Sequence, residues 1–295
     1  MQSAQFLGEV GNCLFILITG YFCAQKTSPN LKSLNYLLFD VHFYSIILFL
    51  SVVLAGASAF SIGGLVKSIC PLIFTQYWFI LPYIVVFLIS PWLNHIIDTL
   101  TSKQLFCYFA ILLLIECLLP VINAKTISSN VGLFILFYST GAILSKKEVL
   151  LDLVKRYNLV LILVSGAMCV FLNYLQILGV SPFQADSAIA MRFSPLPILF
   201  SVGLLSIFVS KTYYSQLINK IAKSVFAVYL ISENANVWPW LWKTKLFSLA
   251  NVSSPYIIIP KMLGNCLLVM AICITIDLVE KKFLEQSCRS PFINR

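Results

Sequence analysis

Charge is what this sequence has least of. Asp, Glu, Lys and Arg make up 11% of its 295 residues, against about a quarter in a water-soluble domain. With 60% hydrophobic residues and a mean hydropathy of +0.93, a single soluble globule is excluded; the chain reads as an integral membrane protein. It has no CxxC pair and no Cys/His cluster. Its nine cysteines stand singly in apolar runs, as small buried hydrophobes rather than a disulfide or zinc framework, so no metal site is expected. GxSxG, P-loop, GxGxxG and HExxH patterns are missing, which removes the commonest soluble-enzyme chemistries. No fixed-period repeat runs through it. The opening "MQSAQFLGEV" has neither the basic n-region nor the small-residue cleavage site of a signal peptide.

What is there is a series of apolar runs. Nine transmembrane helices are expected, at 6–24, 36–56, 74–93, 105–122, 131–146, 158–177, 195–210, 222–241 and 256–279. Each is near the roughly 20 residues that cross a bilayer. No long soluble stretch interrupts them. The fold expected is therefore an all-α polytopic bundle, one transmembrane domain over 1–285 with a short cytoplasmic tail at 286–295.

The net charge of +9 does not call for nucleic acid, because the basic residues follow membrane topology. Alternate connections carry Lys26 and Lys32; Lys103; Lys146, Lys147, Lys155 and Arg156; Lys211, Lys220 and Lys223; and Lys281, Lys282, Arg289 and Arg295. The other set holds only Lys67, Lys125, Arg192, Lys243, Lys245 and Lys261. The positive-inside rule puts the first set in the cytoplasm, with the C-terminus inside and the N-terminus outside. A first helix entering from outside usually follows another helix, so this parity suggests one N-terminal span before Met1.

Polar residues inside apolar runs are costly and mark function or helix-to-helix bonding. "SVFAVYLISENANVWPWLW" (224–242) sets Glu233 and Asn234 near the middle of the eighth run. They are expected to face the bundle interior, lining a polar cavity as catalytic groups or joining two helices. Trp238, Trp240 and Trp242 fit an outer interfacial belt, with Pro239 loosening the helix end. "DVHFYS" places Asp40 and His42 in the second run, where His42 suits acid/base or phosphate chemistry, or closes a helix end. Tyr77 and Trp78 in "YWFILPY" read as interfacial aromatics or a sugar-stacking pair. His95 falls at a helix end and reads as interfacial; Asp98 follows three residues on, not at the HxxxxD spacing of glycerolipid acyltransferases. Glu116 is a second intramembrane acid. The basic amphipathic "SKKEVLLDLVKRYN" (145–158) reads as an inner-leaflet anchor.

Four stretches in order resemble the acyltransferase-3 family of bacterial membrane O-acyltransferases, in its capsule and exopolysaccharide branch. "NCLFILITGYF" (12–22) resembles the family's "FFLISGYF". "YWFILPYIVVFLISPWLNHII" (77–97) resembles "YWFI…Y…SPFLN". "LFYSTGAIL" (136–144) resembles "YLIGAYI", and "AKSVFAVYLISENANVWPWLW" (222–242) resembles "TSFGVYLIHDN…LW". "RFSPLPILFSVGLLSIF" (192–208) is similar to an "NSP…" helix. The resemblance implies about ten helices in the bacterial inner membrane. It also implies transfer of an acyl group, usually acetyl, from cytoplasmic acyl-CoA to a sugar hydroxyl of a cell-surface glycan or lipid-linked sugar.

The resemblance further implies that the family's first helix, with its Arg and catalytic His, has no counterpart here. Ser232 stands where the family has a His, and residues 1–295 alone are expected to transfer acetyl poorly. Glu233, Asn234 and His42 are then the candidate catalytic residues. Lys26 and Lys32 would meet CoA phosphates, and Tyr77, Trp78 and Trp238 the acceptor. The alternative is a flippase or transporter of polysaccharide or lipid-linked sugar, with Glu233 and Glu116 as a relay. A polymerase ranks lower, because the longest outer connection, 178–194, is short.

Overall fold

The computed structural model describes residues 2–122, 129–178, 194–211, 214–243 and 255–288. Arg192, Lys125, Lys245, Arg289 and Arg295 from the loop assignment, and most of the 178–194 connection, lie outside them, as does the side chain of Trp240. Among the described residues the secondary structure is helical throughout, without strands. Five helices are long and apolar enough to cross a membrane, with spans at Gln5–Cys23, Leu31–Leu54, Ile80–Thr99, Asn158–Leu175 and Tyr256–Lys282. The chain is thus a multi-pass, all-α membrane protein. The remaining runs are shorter or interrupted, and the reasons are local.

Two compact units divide the chain: residues 1–30 with 82–213, and 31–81 with 214–295. In the first, α1 (Gln2–Cys23) packs along α7 (Asn130–Lys146). α7 has 17 residues, about 25 Å of helix. Every residue from Phe134 to Leu144 except Ile135 is buried. A helix apolar on all faces belongs at the centre of a bundle, and small residues in "STGA" let neighbours close around it. α8 (Glu148–Arg156) leads from it to α9 (Asn158–Ile177). α9 packs on α10 (Leu196–Val209), which also meets α1. Phe6, Val10, Cys169 and Leu196 form a shared core there.

The third expected run is displaced. Residues 71–79 form turns, and helix α4 runs Ile80–Thr99, reaching six residues past the expected end. It continues through Pro91. Proline has no N–H for the carbonyl of Phe87 four residues back; the Ser90 hydroxyl donates to that oxygen instead, at 2.7 Å. The fourth run is helical over α5 (Ser102–Leu113) and α6 (Leu119–Ile122), with a π-turn at Leu114–Leu118 between them. A capping box of Thr101 and Gln104 starts α5. The π-turn carries buried Glu116, whose Oε2 accepts the Ser129 N–H at 3.1 Å. Glu116 therefore sits at the start of α7, where a carboxylate complements the helix dipole.

The second unit contains α2 (Leu31–Leu54), α3 (Ile62–Ile69), the 70–79 turns, α11 (Gln216–Ala222), α12 (Val225–Ser232), α13 (Trp238–Lys243) and α14 (Pro255–Cys288). α12 packs against α2 and α14. The expected continuous helix over 222–241 is broken here. α12 ends at Ser232 with Glu233 as its cap, and residues 234–237 lie outside any helix before α13 starts at Trp238.

Candidate functional site

The first unit is organised around Asn94, the last letter of "SPWLN". It is 4% exposed. Its Nδ2 donates to the carbonyls of Cys23 at 2.8 Å and Lys26 at 2.9 Å, capping the end of α1. Its Oδ1 accepts the Tyr138 hydroxyl of α7 at 3.1 Å. One amide thus satisfies carbonyls that a helix C-terminus leaves open and fixes three helices to one another. Beside it, Lys146 Nζ donates to the Asn94 carbonyl at 3.0 Å and to Asp98 Oδ2 at 2.6 Å.

Two clefts open at this end of the unit. One, about 550 Å³, lies between the 24–29 turn and α4; it is lined by Lys26, Ser28, Trp92, His95 and Asp98 among others. The second, about 950 Å³, shares Gln25 and Asp98 with the first and extends past Lys146, Lys147 and Glu148. In the first cleft the charge of Asp98 is already met by Lys146, so exposed Lys26 supplies the uncompensated positive charge and His95 a titratable ring. Sequence reasoning assigned Lys26 to phosphate binding and missed the Asn94–Tyr138–Lys146–Asp98 network. The signal was present in "SPWLN", where an Asn follows a proline inside an apolar helix.

In the second unit the structure brings two expected site residues together. Asn94 has a counterpart in Asn234, which is fully buried. Its Nδ2 donates to the Tyr77 hydroxyl at 2.8 Å, and its Oδ1 accepts the Asn236 N–H at 2.9 Å. Tyr77 in turn donates to the Leu230 carbonyl at 3.1 Å. The amide that looked catalytic therefore builds the turn that ends α12 and ties it to the 70–79 segment. Tyr77 is 2% exposed and its ring lies against Tyr229, so it serves the core rather than a sugar-stacking surface. Glu233, the residue before Asn234, caps the end of α12 and keeps an exposed side chain.

The other expected residues do not converge. Trp78 packs edge-on against Phe79, and Trp238 is 44% exposed. Lys32 is exposed in the first turn of α2, and His42 lies ten residues further on, roughly 15 Å along the axis. His42 is half-buried, and its Nδ1 lies 2.7 Å from the Leu38 carbonyl. A carbonyl only accepts, so Nδ1 carries a proton and Nε2 is the basic nitrogen of the neutral ring. Two turns of α2 bring no second histidine beside it. On the same helix, Tyr44 donates to both Asp277 Oδ1 and Glu280 Oε2 of α14, each at 3.0 Å, and Lys281 pairs with Asp277 at 2.7 Å. Asp277 is 2% exposed. These two acids went unnoticed in the sequence because they belong to the last turns of an apolar run, next to two lysines.

The apolar helices define a polytopic membrane protein. An acyltransferase-domain family model, that of acyltransferase-3, matches residues 1–278, and the chain belongs to that family. No curated protein and no solved structure matches it.

Proposed function

We propose that this protein is a membrane O-acyltransferase of the bacterial inner membrane. It takes an acyl group, acetyl first, from cytoplasmic acyl-CoA and passes it to a sugar hydroxyl of a cell-surface polysaccharide or its lipid-linked precursor. The observation that carries this reading is membership of the acyltransferase-3 family across residues 1–278. The cleft beside Lys26 and His95 supports it, since Lys26 offers a cationic donor to the phosphates of the donor. By the positive-inside rule this end faces the cytoplasm, where acyl-CoA is made.

The reaction forms a bond from the sugar oxygen to the acyl carbon and breaks the thioester C–S bond. The hydroxyl proton goes to a base and ends on the CoA thiolate. Of the residues singled out, His42 is the candidate base, because with Nδ1 donating to Leu38 the neutral ring presents Nε2 as its acceptor. Asn234 is committed to the turn, and its second amide hydrogen is all it has to offer an acceptor.

The test uses the whole protein from its native reading frame in proteoliposomes, with acyl-labelled acetyl-CoA and lipid-linked glycan. Alkali-labile label on the glycan and release of CoA thiol are the expected results. General bases contribute about 10²–10⁴-fold, so His42→Gln should lose at least a hundredfold in kcat, while His95→Gln, in the donor cleft, should raise the KM for acetyl-CoA and keep most of kcat. Movement of unmodified glycan across the bilayer without CoA release would instead make the protein a flippase.

A further inference from the structure

Beyond acyl transfer, the first unit contains an amphipathic site that the reaction leaves unused. An apolar groove of about 440 Å³ runs between α5, α7, α8, α9 and α10, walled by residues such as Phe106, Phe109, Leu144, Val154 and Val202. Its volume falls within the roughly 300–1,000 Å³ of small-ligand pockets. It is continuous with the 950 Å³ polar cleft, because Ser102, Leu105, Ile143 and Leu150 line both. Phe106, in its wall, and Leu153, in the adjoining polar cleft, are 72% and 53% exposed, so the groove opens sideways where lipid surrounds a membrane bundle.

The charges at the polar end select the occupant. Lys146 and Asp98 neutralise each other at 2.6 Å. That leaves Lys147 and Glu148, neighbours at the start of α8, one cation and one anion. Neither has a side-chain hydrogen bond or ion pair among the described residues. A polyanionic ligand such as CoA would meet the Glu148 carboxylate. A headgroup with one phosphate and one hydrogen-bonding amine matches both charges, with an acyl tail for the groove.

We propose that this cleft and groove hold one zwitterionic phospholipid of the phosphatidylethanolamine type: phosphate on Lys147, amine on Glu148, one tail between α5 and α10. The site fastens α8 to the leaflet and fills a gap that α7, α9 and α10 leave in the wall of the unit.

The experiment is native mass spectrometry of the full chain released from nanodiscs with equimolar phosphatidylethanolamine and phosphatidylglycerol. One retained phosphatidylethanolamine, favoured at least fivefold, is expected. Lys147→Gln should cut retention of both lipids at least fivefold. Glu148→Gln should erase the preference while keeping total retention. Melting curves of both variants should match the parent, showing that they fold. Free phosphoethanolamine at millimolar concentration should not displace the lipid; displacement would mean that the tail contributes nothing and would overturn the groove. Equal retention of the two lipids by the parent, a preference for phosphatidylglycerol, or variants that behave as the parent would each overturn the assignment.

Discussion

Gly20 of α1 and Gly141 of α7 each lie against the backbone of the other's helix. A Cβ on Gly20 would run into the Tyr138 carbonyl, and a Cβ on Gly141 into the carbonyl of Leu17. The obstacle is backbone on both sides, which no rotamer change relieves. Small residues allow such close approach between helices in a membrane. Gly20→Ala and Gly141→Ala should therefore each destabilise the protein by about 1–3 kcal/mol, the usual range for overpacking, with a lower melting temperature in detergent. Gly264→Ala is the control: its Cβ would meet nothing within 4 Å, so it should be neutral or slightly stabilising, by up to about 1 kcal/mol.

The Asn94 amide serves three partners. Asn94→Ala should cost more than Tyr138→Phe, because the first removes the side-chain donor of the Lys26 carbonyl and one partner each of the Cys23 carbonyl and the Tyr138 hydroxyl, while the second takes one donor from Asn94 Oδ1. Each buried group left unsatisfied costs about 1–3 kcal/mol. Hydrogen exchange should rise at residues 20–26 in Asn94→Ala and stay protected in Tyr138→Phe. Equal melting temperatures for the two variants would show that the α1 cap contributes nothing.

Ser90 and Pro91 should be coupled. Ser90→Ala alone leaves the Phe87 carbonyl without the hydroxyl that replaces the missing proline N–H, and should cost about 1 kcal/mol. In a Pro91→Ala background the peptide N–H returns to that carbonyl, and the same Ser90→Ala change should become nearly neutral. A double-mutant cycle in thermal unfolding reads the difference; additive effects would mean that the hydroxyl does not stand in for the peptide group.

Tyr77 and Asn234 hold the break after α12. Tyr77→Phe and Asn234→Ala should each lower stability, and the double variant should lose less than their sum, with a coupling of about 0.5–3 kcal/mol. Glu233→Gln, at an exposed position, should leave the melting temperature where it was. A large shift on Glu233→Gln would show that the carboxylate joins helices after all.

The sequence by itself determined the medium, the helical class and the family. Scarcity of charge excludes a soluble fold, and runs of apolar residues dictate where helices form, because in hydrocarbon a helix satisfies its own backbone. The helix at 158–177 came out as read, and that expected at 36–56 runs Leu31–Leu54, five residues earlier at its start. What only tertiary structure decided is what the polar residues do. Hydropathy cannot say whether Asn234 faces a substrate or a tyrosine 157 positions away, because that depends on a partner distant in sequence. It cannot say that residues 222–241 break at Glu233, since the break exists through the Asn234–Tyr77 bond and not through a proline or glycine. Nor does it reveal that 131–146, short for a span, is the buried centre of a unit: burial on every face is a property of the helices packed around it.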